Sequence, residues 1–162
     1  MADEGIPEIS GIRTRVTVFL LHRLFALTRG MTMGVRAACF DEAGRVFLVR
    51  HTYVPGWYMP GGGVERGETV MAALSKELRE EGNLELIGAP ELYHVYQNAK
   101  ASRRDHVVFY KAVVRQVAPR KPDREIAESG FFSLDALPPD VTAATLRRIR
   151  ELSGEQPKAD IW

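Results

Sequence analysis

The sequence predicts a single α/β or α+β domain built on a mixed β-sheet. Three observations carry this. Apolar runs of strand length recur through the chain, as in "MGVRAACF" and "RVFLVRH". Two stretches without internal Pro or Gly, rich in Ala, Leu, Glu, Lys and Arg, interrupt those runs with helical composition. Clusters of Gly, Pro, Asn and Asp separate the elements, and no internal repeat or low-complexity tract is present. At 162 residues the chain suits one domain with a sizeable core.

The elements follow in order. Val16, Phe19, Leu20, Leu24 and Leu27 fall near helical spacing, which predicts an amphipathic N-terminal helix. Such a helix packs on the domain or on a second subunit; attachment to a membrane surface is the competing reading. A β-hairpin is expected from about Gly34 to His51, around the turn "DEAG". "TYVPGWYMPGGG" reads as a loop with room for a short strand at Trp57–Met59. A helix is expected over Thr69–Glu81, closed by Gly82 and Asn83, which both tolerate a left-handed cap. "LELIG", "ELYHVYQN" and "HVVFYKAVVR" read as strands, "VAPRKPDREIAE" as a polar loop, and "SGFFSL" as a last short strand. "TAATLRRIRELSG" is a final amphipathic helix, and the tail "EQPKADIW" is expected to fray.

Composition narrows the function. Hydrophobic residues make up 45% and charged residues 27%, the balance of an ordinary globular protein. A net charge of +1 argues against a broad nucleic-acid surface, so no DNA partner is expected. The single cysteine, Cys39, lies in an apolar run and reads as a core residue; with no disulfide available, a reducing cytoplasm is the expected compartment. The segment Val16–Leu27 is too short to span a bilayer and is broken by His22 and Arg23, and no membrane partner is expected.

The expected helix at 69–81 breaks two local rules. Val70, Met71, Leu74 and Leu78 form an apolar stripe, with Glu77, Glu80 and Glu81 beside it within an arc of roughly 100°. Like charges at i, i+3 and i, i+4 repel, and the helix dipole disfavours anions near a C-terminus. Such conflicts tend to mark functional sites. A divalent cation reverses the sign of the penalty, and an all-oxygen carboxylate set suits Mg²⁺, or Mn²⁺ in its place. Gly61, Gly62 and Gly63 permit close backbone approach, and their carbonyls can complete a metal shell. A solvated acidic face, partly neutralised by Lys76 and Arg79, is the competing reading.

The spacing of the segment Gly62–Leu84 is Gly62, five residues, Glu68, seven residues, then Lys76-Glu77-Leu78-Arg79-Glu80-Glu81-Gly82-Asn83-Leu84. It resembles the Nudix box, G-x5-E-x7-R-E-U-x-E-E-x-G-U, with U a bulky aliphatic residue. Upstream, "WYMPGGGVERGE" is similar to the family's W-x-x-P-G-G-x-x-E-x-G-E run. Two positions depart: Lys76 replaces the arginine and Asn83 the late glycine. The resemblance implies an α/β/α sandwich over residues 31–155, with a helical extension at 1–30 and a tail at 156–162. It implies a Mg²⁺-dependent hydrolase that cleaves the pyrophosphate bond of a nucleoside diphosphate linked to another moiety. Glu77, Glu80 and Glu81 become metal ligands with the Gly61 carbonyl, and Glu68 a helper holding helix and glycine loop in register. The family's arginine orients box glutamates, and lysine keeps its charge but loses the planar fork.

The general base in such a site is a box glutamate, Glu80 or Glu81, or one from a later loop, where Glu125 is favoured over Glu128. Arg50, Trp57, Gly62 and Gly63 are candidate substrate contacts; one of Trp57 and Tyr58 is expected to pack under the glycine loop. Arg103 and Arg104 read as a solvated loop tip, and His94 and His106 receive no role. Two rivals stay open: a Nudix-like module that binds a nucleotide and hardly cleaves it, favoured by Lys76, and a hydrolase for capped or triphosphorylated RNA ends, disfavoured by the net charge. The substrate within the class is left open, as is a homodimer through the N-terminal helix.

Overall fold

Residues 12–28 and 30–162 are described by the computed structural model; the parts of the expected 1–30 extension that fall on residues 1–11 and 29 lie outside the described residues. The chain divides into two units, residues 1–31 and 32–162. In the first, α1 (Ile12–Thr28) is longer than expected. Its apolar side chains are not confined to one stripe: Val16, Phe19, Leu20 and Leu24 are exposed, and so are Leu21 and Phe25. Among the described residues no helix is long and apolar enough to cross a membrane.

The second unit is a six-stranded mixed sheet between two helices. Its elements are β1 (Thr32–Phe40), β2 (Val46–His51), α2 (Val70–Gly82), β3 (Leu84–Leu86), β4 (Glu91–Gln97), β5 (Asp105–Gln116), β6 (Ile126–Phe132) and α3 (Ala143–Leu152). The sheet order is β3-β5-β1-β2-β6, with β4 also on β5. β1 runs parallel to β5 from Thr32↔Asp105 to Phe40↔Val113. The outer edge of β5 is shared, its first half taken by β4 and its last residues by β3.

The expected hairpin forms, but its strands splay. β1 and β2 pair at Phe40↔Val46 and then diverge. The glycine segment fills the gap: Tyr58 exchanges both backbone hydrogen bonds with Val49, Pro60 and Gly62 carbonyls accept from Ala37 and Val35, and Val64 donates to Met33. The segment read as a loop is therefore threaded between two strands, which fixes its glycines against the sheet.

Period-two alternation sorts the core into two layers. Val35, Ala37, Cys39, Phe47 and Val49 pack with Ala73, Leu74 and Leu78 of α2. Ala38, Val46 and Leu48 pack on the opposite face with Trp57, Met59, Tyr96, Phe109 and Ile149 of α3. Each fully buried aliphatic side chain contributes about 1.5–3 kcal/mol. This is the α/β/α sandwich, and Cys39 is a core residue as expected, its thiol pushed up by burial.

The tail does not fray. Gln97 N–H donates to the Asp160 carbonyl and Trp162 N–H to the Gln97 carbonyl. The Trp162 ring lies 5.4 Å from Tyr96 and 5.5 Å from Phe109. Beneath it Arg148, with no exposed surface, sits 3.9 Å over the Tyr96 ring and binds Glu151 at 2.7 Å. Glu151 also accepts from the Tyr96 hydroxyl at 2.6 Å and the Ala159 N–H at 3.1 Å. The polar composition of "EQPKADIW" suggested fraying, and the backbone bonds to Gln97 and the packing of Trp162 on Tyr96 and Phe109 override it.

Candidate active site

The helix carrying the carboxylates is bounded by its own chemistry. Thr69, extended at φ −81°, accepts from Ala72 N–H and opens α2. Asn83 closes it in the left-handed conformation, φ 52°, and its N–H reaches the carbonyls of Leu78 and Arg79. The departure from glycine at this position is thus accommodated, and the Asn83 side chain adds contacts to the carbonyls of Ala118 and Pro119. Leu74 and Leu78 anchor one face in the core, which turns Glu77, Glu80 and Glu81 along the neighbouring face.

The glycine segment meets two of these glutamates directly. Gly61 N–H donates to Glu81 Oε2 at 2.8 Å. Gly61 has φ +141°, and a Cβ there would stand 2.0 Å from the Val35 carbonyl. A Cβ on Gly62 would stand 2.4 Å from Glu77 Oε1, so that carboxylate lies over the Gly62 backbone. Gly63 has open space around it and forms a bridge with Gly34. The Pro60 and Gly62 carbonyls are taken by β1, and the Gly61 carbonyl expected as a ligand lies between them.

Glu77, Glu80 and Glu81 share a cavity of about 260 Å³ with Arg120, Asp123 and Glu125. Glu125, the favoured loop carboxylate, is thus brought to the box glutamates. Glu128 is not: it stands on β6 opposite Arg50 and pairs with it at 2.7 Å. Arg120 donates through Nε to the Glu80 carbonyl at 2.7 Å and also pairs with Asp123, fixing the loop on the helix. The N–H of Ile126, then Arg120, hold Asp123 well below the usual carboxylate range.

Burial sets the electrostatics. Glu81 is 4% exposed, and burial pushes its carboxyl up to about 7, against the opposing pull of the Gly61 N–H and Arg36. Burial also raises Glu77. His51 Nε2 lies 3.6 Å from Glu81 Oε1, too long for a hydrogen bond, and burial lowers the imidazole, so the ring does not neutralise Glu81 at neutral pH. Among the described residues no three His, Cys, Asp or Glu side chains already converge as a metal-holding group. The carboxylates nevertheless fit a hard cation: their donors are all oxygen, and they centre on a buried carboxylate, Glu81.

Other expected positions fall differently. Glu68 accepts from the Glu65 N–H at 3.1 Å and closes the turn before α2, in place of bridging helix and glycine loop. Lys76 lies 3.6 Å from Glu65, an exposed loop acid, and makes no two-pronged contact with the box carboxylates. Arg50 and Trp57 line a second cavity of about 1060 Å³, and His51 stands on its wall as well. Trp57 is mainly a packing residue, 8% exposed with its ring 5.0 Å from Phe132; Tyr58 packs against the other core layer. Arg36, which donates to the Met59 carbonyl at 2.6 Å, and the Arg120–Asp123 pair were missed by sequence reasoning. No motif marks them; only the nearness of Arg120 and Asp123 to Glu125 in the chain pointed toward that loop.

The NUDIX domain family pattern matches residues 30–152, and the chain belongs to that family. Among solved structures, a MutT NUDIX hydrolase from Burkholderia pseudomallei superposes with TM-score 0.61 at 27% identity, over 75% of this chain and 97% of that one. An ADP-ribose pyrophosphatase from Streptococcus suis does so with TM-score 0.56 at 28% identity, over 81% and 95%. Among curated relatives, an RNA pyrophosphohydrolase of Gluconobacter oxydans is 38% identical over 34% of this chain and 36% of its own. A putative 8-oxo-dGTP diphosphatase of Bacillus subtilis is 31% identical over 48% and 52%. The chain spans only 36% to 52% of the length of these curated relatives.

Proposed function

We propose that the protein is a divalent-metal-dependent hydrolase that cleaves the pyrophosphate bond of a nucleoside diphosphate linked to another moiety. The observation that carries this reading is the single cavity lined by Glu77, Glu80, Glu81 and Glu125, with Gly61 and Gly62 against two of the carboxylates. The activities named for the relatives, on RNA ends, ADP-ribose and 8-oxo-dGTP, support a nucleotide-derived substrate. The unit that does this is residues 31–155, with the docked tail at 156–162 bracing it.

Glu77, Glu80 and Glu81, with the Gly61 carbonyl, would hold the cation, Mg²⁺ or Mn²⁺. When bound, it supplies neutralisation of the diphosphate oxygens and a more acidic water. The chain's own residues do the rest. Gly62 and Gly63 let the diphosphate approach the backbone. Water attacks one phosphorus, the anhydride P–O bond breaks, and the Glu125 carboxylate accepts the water's proton. Gly61 N–H keeps Glu81 oriented, and Arg120 keeps the Glu125 loop against α2.

The position of Lys76 supports a second reading, a nucleotide-binding module with little turnover, because its partner is a loop acid and not the box carboxylates. One screen separates the two. Purified protein is assayed with and without Mg²⁺ for release of phosphomonoester products, read through an added phosphatase that acts on them and not on the intact substrate, against a panel of nucleoside diphosphate derivatives. Metal-dependent cleavage establishes the hydrolase. Binding without release across the panel establishes the module.

A further inference from the structure

α1 belongs to the first unit, and no part of the candidate active site falls on it. Its surface is apolar over an unusual width. Val16, Phe19, Leu20 and Leu21 are each between 44% and 60% exposed. At about 100° per residue they cover an arc of roughly 200°. A helix that packs on a protein core needs a stripe of only about 100°. His22, also exposed, falls near the middle of the arc that remains. The charge of the segment has one sign. Between Ile9 and Phe40 the sequence holds no Asp or Glu, while Arg13, Arg15, Arg23 and Arg29 fall on the helix or beside it; Asp3, Glu4 and Glu8 all precede it. Arg23 is exposed, with its guanidinium 5.2 Å over the Phe19 ring.

We infer that α1 seats the protein on a membrane surface that carries anionic headgroups. Its 17 residues make a helix of about 25 Å, shorter than a hydrocarbon core of about 30 Å, so it lies in the surface and does not cross it. The expectation of no membrane partner rested on the length needed to span, and a surface helix has no such requirement. Lipid suits the width of the apolar arc, because acyl chains close on a helix from below and from both flanks, where a protein surface meets one side. Phe19, Val16, Leu20 and Leu21 enter the acyl boundary, and His22 faces the headgroups. Arg23 lies within the apolar arc and reaches the headgroups along its own aliphatic stem. Charge favours lipid over a second copy of this chain. Two such helices side by side bring arginines together with no acid on either helix to pair them, whereas anionic headgroups are complementary. The inference is independent of the hydrolase reading.

The test sediments the full chain with vesicles of phosphatidylcholine alone and of phosphatidylcholine with about one-third phosphatidylglycerol, at low and high salt. Binding to the anionic vesicles should exceed binding to the neutral ones by about tenfold or more, and should fall with salt. Arg23→Gln should lower it about fivefold, the scale of one arginine at an anionic surface. Phe19→Ser combined with Leu20→Ser should lower it at least about tenfold. The urea midpoint should stay at the wild-type value in both variants. Equal binding to the two kinds of vesicle, or binding to neither, would overturn the inference. Full binding by the double variant would overturn it too, by placing the contact outside α1. Lost binding with a lowered urea midpoint would mean that these side chains pack on the protein instead. A dimer that the double variant dissociates, in place of vesicle binding, would give the face to a second copy.

Discussion

Glu81→Gln is expected to make the metal-free protein more stable while it abolishes the chemistry. Glu81 is nearly fully buried, and its carboxyl is raised from 4.5 to about 7, chiefly by burial. An acid with a raised folded pKa favours the fold fully below its unfolded value, near 4.5, and that contribution is lost as pH rises through about 7. At pH 8 without metal the wild type therefore carries a penalty of about 3 kcal/mol. Glutamine has no charge to bury, and its carbonyl oxygen can still accept from Gly61 N–H. Urea unfolding in EDTA at pH 8 should show the variant more stable by about 2–3 kcal/mol. The gap should close as pH falls below about 5. Added Mg²⁺ should stabilise the wild type and not the variant, and turnover should fall by orders of magnitude. A variant equal to or less stable than wild type in EDTA at pH 8 would mean that burial does not hold the Glu81 carboxyl up.

Three further outcomes follow from the same geometry. Lys76→Arg should keep or raise kcat/KM, because a guanidinium can reach past Glu65 with a fork that lysine lacks; a large drop would give the lysine a role of its own. Gly61→Ala should cost about 3 kcal/mol or more and lose activity, since its Cβ would collide with the Val35 carbonyl at a φ that favours glycine; a normal urea midpoint would count against that. Trp162→Ala should lower stability by about 2 kcal/mol, read as a urea midpoint shift, because it uncovers Tyr96, Phe109 and the buried Arg148; an unchanged midpoint would mean the tail is dispensable.

Much of the candidate site could be read from the sequence because it is local. Glu77, Glu80 and Glu81 share a face through helical periodicity alone, and Thr69 and Asn83 bound that helix by capping each end within a turn. The same local logic predicted the strands of the sheet, the buried Cys39, and the flexible backbone of Gly61 and Gly62 ahead of the helix. What the chain could not announce were the contacts between residues distant in sequence. Gly61 meets Glu81 only because the glycine segment threads between splayed strands. Glu125 joins the cavity while Glu128 is drawn to Arg50 because β6 pairs with β2 in one register. Lys76 faces Glu65, and the tail docks by laying Trp162 on Tyr96 and Phe109, which no periodicity encodes. Spacing along one helix is set by backbone geometry, and so a sequence determines it. Which charges meet across elements, and how far burial shifts them, depends on packing between segments distant in the chain, and no local spacing carries that.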